Sequence, residues 1–261
     1  HKLKEHADLA DALKAAIPEL HGAYGLAVIS AQQPDRLLAA RSGSPLVIGL
    51  GMGENFLASD QLALRQVTDR FMYLEEGDIA DIRRDSVQVW DAAGQSVQRE
   101  QVQYHEGAEA ADKGAYRHFM LKEIHEQPQV IRENILSRVL NEEVSFGDEI
   151  KIPAETLKAV KKITIVACGT SYHAGLIGKY FIEKLCKIPV DVDIASEYRY
   201  RDPIIEKNML AVFISQSGET ADTLACLRIV KDHKIPTLGI CNVIGSSMYR
   251  ETDATIYTRC G

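Results

Sequence analysis

The hydrophobic residues of this 261-residue chain follow different patterns in its successive parts. After an amphipathic stretch at 5–20, residues 1 to about 108 carry short apolar or alternating runs such as AYGLAVIS (23–30) and PLVIGLG (45–51). Gly, Ser, Asp and Pro interrupt these runs, which is typical of antiparallel strands and hairpins. The first part is therefore predicted to be α+β, with helices flanking a layered sheet.

The pattern changes near residue 106. The polar, glycine-containing stretch at 106–118 predicts a linker, and apolar residues then recur at helical spacing over 119–143. Pro128 is expected to start a new helical turn there or to kink the helix. These changes predict three parts, with the boundaries 1–108, 109–155 and 156–261.

The last part alternates strands with helices. Continuous apolar runs such as KKITIVACG (161–169) and NMLAVFIS (208–215) are separated by helical stretches. Fully apolar strands that alternate with helices indicate a parallel, doubly wound α/β sheet. Ligands of such sheets bind beyond the carboxyl ends of the strands.

Two polar loops follow predicted strands at such ends. CGTS (168–171) and SQSGET (215–220) each contain a glycine and lead directly into a helix. Unpaired N–H groups and the positive end of the dipole at a helix start favour a small anion. Hydroxyl and amide donors suited to phosphate oxygens come from Ser215, Gln216, Ser217 and Thr220. Taken singly, each hydroxyl can equally be no more than a helix N-cap.

Sequence motifs that are absent from the chain limit the class of ligand and the cellular compartment that we expect. SQSGETADT contains no lysine and neither loop matches G-x-G-x-x-G, so a phosphorylated metabolite is favoured over a nucleotide. The net charge of −7 argues against nucleic acid, and no apolar run reaches the ~18 residues that span a bilayer. The five cysteines form no C-x-x-C pair, which predicts free thiols in a reducing cytosol. The histidines form no pattern that predicts a metal site.

ACGTSY and SQSGETADTL together resemble the sugar-isomerase (SIS) domain. Further blocks resemble, in the same order, the glutamine–fructose-6-phosphate aminotransferases, also called glucosamine-6-phosphate synthases. These blocks are residues 37–64, 112–128, 195–203 and 239–254. The resemblance implies that 1–108 is the second half of an N-terminal-nucleophile-type glutaminase domain. It also implies that 156–261 is most of a first SIS domain, truncated at its C-terminus.

The resemblance further implies which residues bind the substrate. Positions that hold the phosphate of fructose 6-phosphate are matched by Ser215, Gln216, Ser217 and Thr220, and Thr170 and Ser171 match positions near the sugar hydroxyls. The implied ligands are fructose 6-phosphate and glucosamine 6-phosphate, with glutamine only in the full-length enzyme. The family also implies a cytoplasmic homodimer that associates through SIS domains, without a cofactor, nucleic acid or membrane.

Several family features have no match in this chain. The family's glutaminase begins with a nucleophilic cysteine, whereas this chain begins with His1 and has no cysteine before Cys168. The family's lysine, glutamate and histidine for the ketose chemistry belong to positions beyond Gly261. We therefore expect both ends to be cuts within a longer protein and no complete catalytic site in this piece.

The alternative is a non-catalytic phosphosugar-binding SIS module, because SIS domains also serve as sensors in regulators. Such regulators carry a DNA-binding helical domain, whereas residues 1–108 instead resemble glutaminase strands.

Overall fold

The computed structural model describes residues 1–103 and 113–260. The chain divides into two compact units, of which unit 1 comprises residues 1–112 and unit 2 residues 113–261. The predicted boundary near residue 108 and the linker stretch 106–112 lie outside the described residues.

Unit 1 opens with a 3-10 turn at Lys2–Lys4 and the helix α1, Leu9–Ala16. Asp8 caps α1, because its carboxylate accepts hydrogen bonds from the backbone N–H groups of Ala10 and Asp11. Two more 3-10 turns lie at Ile17–Glu19 and Gln61–Ala63. The strands are β1 Tyr24–Ser30, β2 Gln33–Ser42, β3 Val47–Leu50, β4 Asn55–Ala58, β5 Arg70–Tyr73, β6 Ile79–Ile82, β7 Val87–Trp90, β8 Ser96–Val97 and β9 Gln101–Gln103.

These strands form two antiparallel sheets, in the orders β1-β2-β6-β7-β8 and β4-β3-β5-β9. The sheets pack face to face, since residues of both, such as Ala39, Ala80, Ile48 and Met72, share one buried cluster. The opposite face of the first sheet packs against α1 through a second cluster that includes Leu9 and Leu38. The predicted layered α+β arrangement is thus confirmed.

Unit 2 contains the longer helices. Its helices are α2 Phe119–Leu136, α3 Ala154–Lys158, α4 Gly169–Cys186, α5 Ala195–Tyr200, α6 Ala221–Asp232 and α7 Ser247–Glu251. A 3-10 turn lies at Gly147–Glu149. The strands are β10 Val139–Leu140, β11 Glu143–Val144, β12 Lys162–Ala167, β13 Val190–Ile194, β14 Met209–Ser215, β15 Thr237–Cys241 and β16 Ala254–Tyr257.

The prediction of a helix up to residue 143 is wrong in its last turns. The helix α2 continues through Pro128 and ends at Leu136, and β10 and β11 follow as an antiparallel hairpin. The two turn residues, Asn141 and Glu142, have φ angles of 51° and 65°. A two-residue turn with positive φ at both positions matches the twist of the flanking strands, which accounts for a hairpin at this point.

The five-stranded sheet of unit 2 confirms the doubly wound prediction. Its order is β13-β12-β14-β15-β16 and all neighbouring strands pair in parallel. Alternate residues of β14 face opposite sides: Ala211 and Phe213 pack with α5, α6 and α7, whereas Leu210 and Val212 lie in the cluster that includes α3 and α4 side chains. Because helices cover both faces, the central strand β14 is apolar from Met209 to Ile214, whereas the edge strand β13 alternates valine with aspartate.

The strand order has one reversal of direction. From β12 the chain crosses to β13 on one side, and from β13 it returns to β14 on the other side of β12. The connections that leave β12 and β14 therefore diverge, which opens a crevice between the carboxyl ends of these two strands. Gly175 allows α4 to approach the sheet closely, since a Cβ atom there would lie 3.0 Å from Ile165 Cγ2.

The core of unit 2 buries ionisable side chains. Tyr198 and Cys226 lie in the same cluster, and burial raises the pKa of each to about 12. Both groups must therefore stay protonated in the folded state. In the unfolded chain the Cys226 thiol has its ordinary pKa of 9.0.

A raised folded-state pKa predicts a loss of stability at high pH. The contribution of Cys226 is fully present below pH 9.0 and is lost as the pH rises from there toward about 12. We expect Cys226→Ala to reduce the slope of unfolding free energy against pH above pH 9.0, by at most about 1.4 kcal/mol per pH unit. Urea unfolding followed by helical circular dichroism reports mainly on unit 2, which holds α2 to α7.

The matched control is Cys186→Ala, because the Cys186 thiol is exposed on α4. This variant should leave the slope unchanged. An equal slope in wild type and Cys226→Ala would contradict the prediction.

Candidate functional site

The two predicted loops lie at the crevice between β12 and β14. Residues 168–171 follow β12 directly, and residues 215–220 lie at the end of β14, where Ala167 pairs with Ile214. The first turn of α6 also contacts the first loop, since the Thr223 hydroxyl lies 3.9 Å from the Cys168 thiol. The structure therefore brings both predicted segments to the same edge of the sheet.

The hydroxyl groups of the second loop are held by backbone donors. The Ser215 Oγ accepts from Gly218 N at 3.0 Å and lies 3.1 Å from the Thr220 Oγ1. The Ser217 Oγ accepts from Glu219 N at 3.2 Å. Because a hydroxyl has one proton as well as its acceptor sites, the Ser217 O–H is left to donate to a ligand.

The helix starts beside these loops carry no side-chain caps. Cys168 is the N-cap residue of α4 and Thr220 that of α6, and neither side chain makes a capping hydrogen bond. The interpretation of Thr220 as only a helix cap is therefore wrong. The first N–H groups of two helices face the same crevice, which is the arrangement that favours an anion.

The predicted substrate residues differ in exposure. Ser215 is buried, Ser217, Thr220 and Ser171 are half-buried, and Gln216 and Thr170 are exposed. Thr170 and Ser171 belong to the first turn of α4. Their contact with a sugar phosphate remains a prediction.

A segment that the sequence reasoning missed supports the second loop from behind. We call residues 242–248, which follow β15 and include the first two residues of α7, the backing segment. Gly218 has a φ of +68°, and a Cβ atom there would lie 2.2 Å from the Ser246 Oγ and 2.7 Å from the Cys241 Sγ. Only glycine fits this position, because both the backbone conformation and the space exclude a side chain.

Hydrogen bonds join the backing segment to the loop. Asn242 N donates to Gln216 O at 3.1 Å and Met248 N donates to Gly218 O at 3.0 Å. Ser247 N donates to the Glu219 Oε1 at 2.7 Å. One local signal was available in the sequence, since Ser246 caps α7 by accepting from Tyr249 N, as serine commonly does before a helix.

The charges around the loop are few and mostly paired. Residues 215–220 contain no lysine or arginine. Asp222, in the first turn of α6, forms a salt bridge with Arg199 at 3.0 Å. Burial raises the pKa of the Cys241 thiol behind the loop, so this group stays neutral. The loop itself therefore offers an anion hydroxyl and amide donors and no cationic side chain.

Within residues 1–103 and 113–260, no helix is both long enough and apolar enough to cross a bilayer. Among the same residues, no three His, Cys, Asp or Glu side chains are grouped so that they could hold a metal ion. All five cysteines of the chain are free thiols.

Comparison with known proteins identifies the second unit. Residues 156–261 match the family model of the SIS domain. A solved structure, the C-terminal domain of glucosamine-fructose-6-phosphate aminotransferase from Francisella tularensis, is 48% identical and superposes with a TM-score of 0.53. The similarity covers 57% of this chain and 42% of that one.

Curated relatives match the chain over its whole length. A glutamine–fructose-6-phosphate aminotransferase (isomerizing) from Pseudomonas putida is 63% identical, and one from Escherichia coli K12 is 51% identical. In both comparisons all of this chain is covered but only 43% of the relative. The chain thus spans less than half the length of these relatives. Residues 156–261 therefore match the SIS domain, and the whole chain is similar to part of the glutamine–fructose-6-phosphate aminotransferases.

Proposed function

We propose that this chain is part of an enzyme that transfers the amide nitrogen of glutamine to fructose 6-phosphate and forms glucosamine 6-phosphate. The observation that carries the proposal is the loop at 215–220, which presents hydroxyl donors beside an uncapped helix start. Its supporting evidence is the similarity to aminotransferases of that name along the entire chain. Glutamine hydrolysis and isomerisation are proposed for the whole enzyme rather than for this chain alone.

In this proposal the phosphate of the sugar binds at the start of α6. The Ser217 hydroxyl and the Gln216 amide donate to phosphate oxygens, together with N–H groups of the first turn of α6. Ser215 and Thr220, which bond to each other, supply one further O–H between them. Thr170 and Ser171 face the sugar hydroxyls from the start of α4.

The non-catalytic phosphosugar-binding module is the second candidate. It would use the same loops, so the site alone does not separate the two. Unit 1 favours the enzyme, because the relatives match residues of unit 1 as well as the SIS domain. The free thiols support a reducing cytosol as the location of either protein.

The binding proposal predicts a specific effect of Ser217→Ala. Removing the hydroxyl deletes a hydrogen bond to a charged phosphate, which costs about 1.5–3 kcal/mol, or about tenfold or more in affinity. Calorimetric titration with fructose 6-phosphate and glucosamine 6-phosphate measures the change, with unphosphorylated fructose as the ligand control.

Ser145→Ala is the matched protein control. The Ser145 Oγ also accepts a hydrogen bond from a backbone N–H two residues ahead, that of Gly147, but it lies on an exposed loop after β11. This variant should bind as the wild type does. If both variants bind the sugar phosphates equally well, Ser217 is not a ligand residue.

We also propose that the chain associates as a homodimer through its SIS domain. The surface of α4 carries an apolar stripe at i, i+4, i+8 spacing, formed by Ile177, Phe181 and Leu185, with exposures of 58%, 61% and 75%. A solvent-facing helix surface is ordinarily polar, so an apolar stripe on it favours an interface.

The dimer proposal predicts that Phe181→Glu yields monomers, since a charge buried in an apolar interface is costly. Sedimentation velocity should give the mass of two chains for the wild type and of one chain for this variant. Val144→Glu replaces another exposed apolar residue, on the β11 hairpin, and should remain dimeric. A wild-type protein that sediments as a monomer would rule out the dimer.

A further inference from the structure

A glutamate occupies an unexpected place in the loop at 215–220. Glu219 lies between Ser217 and Thr220, two of the residues proposed to hold a phosphate. A carboxylate directed at the phosphate would repel it. The Glu219 side chain instead contacts the backing segment, where its Oε1 accepts from Ser247 N at 2.7 Å.

The position of the Ser247 N–H group at a helix start favours a negatively charged acceptor such as the Glu219 carboxylate. Ser247 is the first residue of α7, and the N–H groups of a helix's first turn have no partners within the helix. A negative charge at such a position is favourable because it compensates the helix dipole. The carboxylate thus ties the loop to a short helix that the protein core holds, since Met248 is fully buried.

Two backbone hydrogen bonds also connect the loop to the backing segment. The carbonyl oxygens of Gln216 and Gly218 accept from N–H groups of the backing segment at 3.1 and 3.0 Å. Carbonyl oxygens repel an anion, so a loop that binds phosphate has to direct them away from it. The hydrogen bonds to Asn242 and Met248 hold these two carbonyls on the far side of the loop.

We propose that Glu219 is a positioning residue for the sugar-phosphate site, which it serves by bonding to Ser247 N and not by touching the ligand. The proposal rests on the proposed function. The Glu219 carboxylate and the two carbonyl contacts form one tether between the loop and the backing segment. Its loss lets the loop move and exposes its carbonyl oxygens to the phosphate.

The first test needs no ligand. Residue-resolved amide exchange should show protection at the N–H groups of Asn242 and Met248, which donate to the loop. In Glu219→Ala this protection should fall by about tenfold or more, because a charge-assisted hydrogen bond is lost. In Glu219→Gln it should fall by less than about threefold, since the amide oxygen still accepts. Unchanged exchange in β12 shows that the fold persists.

The second test measures the affinity for fructose 6-phosphate. Glu219→Ala should weaken binding by about tenfold or more, and Glu219→Gln should restore most of it. The matched control is Glu183→Ala. The Glu183 Oε1 likewise accepts a backbone N–H, that of Val190 at 3.1 Å, but away from the loop, so this variant should bind as the wild type does.

A third variant removes the donor instead of the acceptor. Ser247→Pro lacks the N–H, and proline is tolerated at the first position of a helix. The preceding residue, Ser246, already has φ −61° and ψ 164°, which suits a residue before proline. Ser247→Pro should reproduce the effects of Glu219→Ala, and combining the two should add little further loss.

The outcomes separate this proposal from the proposed function. A wild type that fails to bind the sugar phosphates contradicts the binding function, while the exchange measurement still tests the tether. Unchanged protection at Asn242 and Met248 in Glu219→Ala overturns the positioning role. Tighter binding in both Glu219 variants also overturns it, because the carboxylate then acts only by repelling the phosphate.

Discussion

The order of the strands around β12 places the two helix starts of the candidate site in unit 2. Because β13 and β14 lie on opposite sides of β12, the connections after β12 and β14 leave in different directions. The helices α4 and α6 that follow both begin beside the crevice. Their first N–H groups then face one small volume. In a parallel sheet with this strand order, the backbone at the two helix starts therefore favours an anion, whatever side chains the loops carry.

The loop at 215–220, the proposed phosphate site, contains no cationic side chain. Backbone donors fix the Ser215 and Ser217 oxygens, which leaves hydroxyl protons for a ligand. The chain packs so closely behind the loop that Gly218 admits no side chain. Even the one charged residue of the loop, Glu219, is turned to the backing segment. Neutral hydroxyl and amide donors bind an anion well only when they are held in a fixed position. The loop therefore depends on its contacts with the backing segment.

Unit 1 has its own structural logic. Its two antiparallel sheets share one buried hydrophobic cluster, while α1 covers the outer face of the first sheet. The Arg36 side chain, which is 8% exposed, joins the first sheet to α1 through ion pairs with Asp81 at 2.6 Å and with the α1 cap residue Asp8 at 2.5 Å. Removing these charges from water costs desolvation free energy, which the hydrogen bonds between the partners offset. Unit 1 thus has a core of its own, and its similarity to aminotransferases is what favours the enzyme over a regulator.

Apolar periodicity and glycine placement predicted the strands and the two polar loops, because both are local properties of the chain. The same pattern predicted the parallel sheet and, through the strand ends, the edge where Ser217 and Thr170 lie. The residues that support this edge became visible in the folded structure. The β10–β11 turn depends on two positive φ angles, and the Glu219–Ser247 bond joins positions 28 residues apart. The Glu219–Ser247 contact has no counterpart in the hydrophobic pattern of the sequence, since it forms only when α7 packs against the sheet.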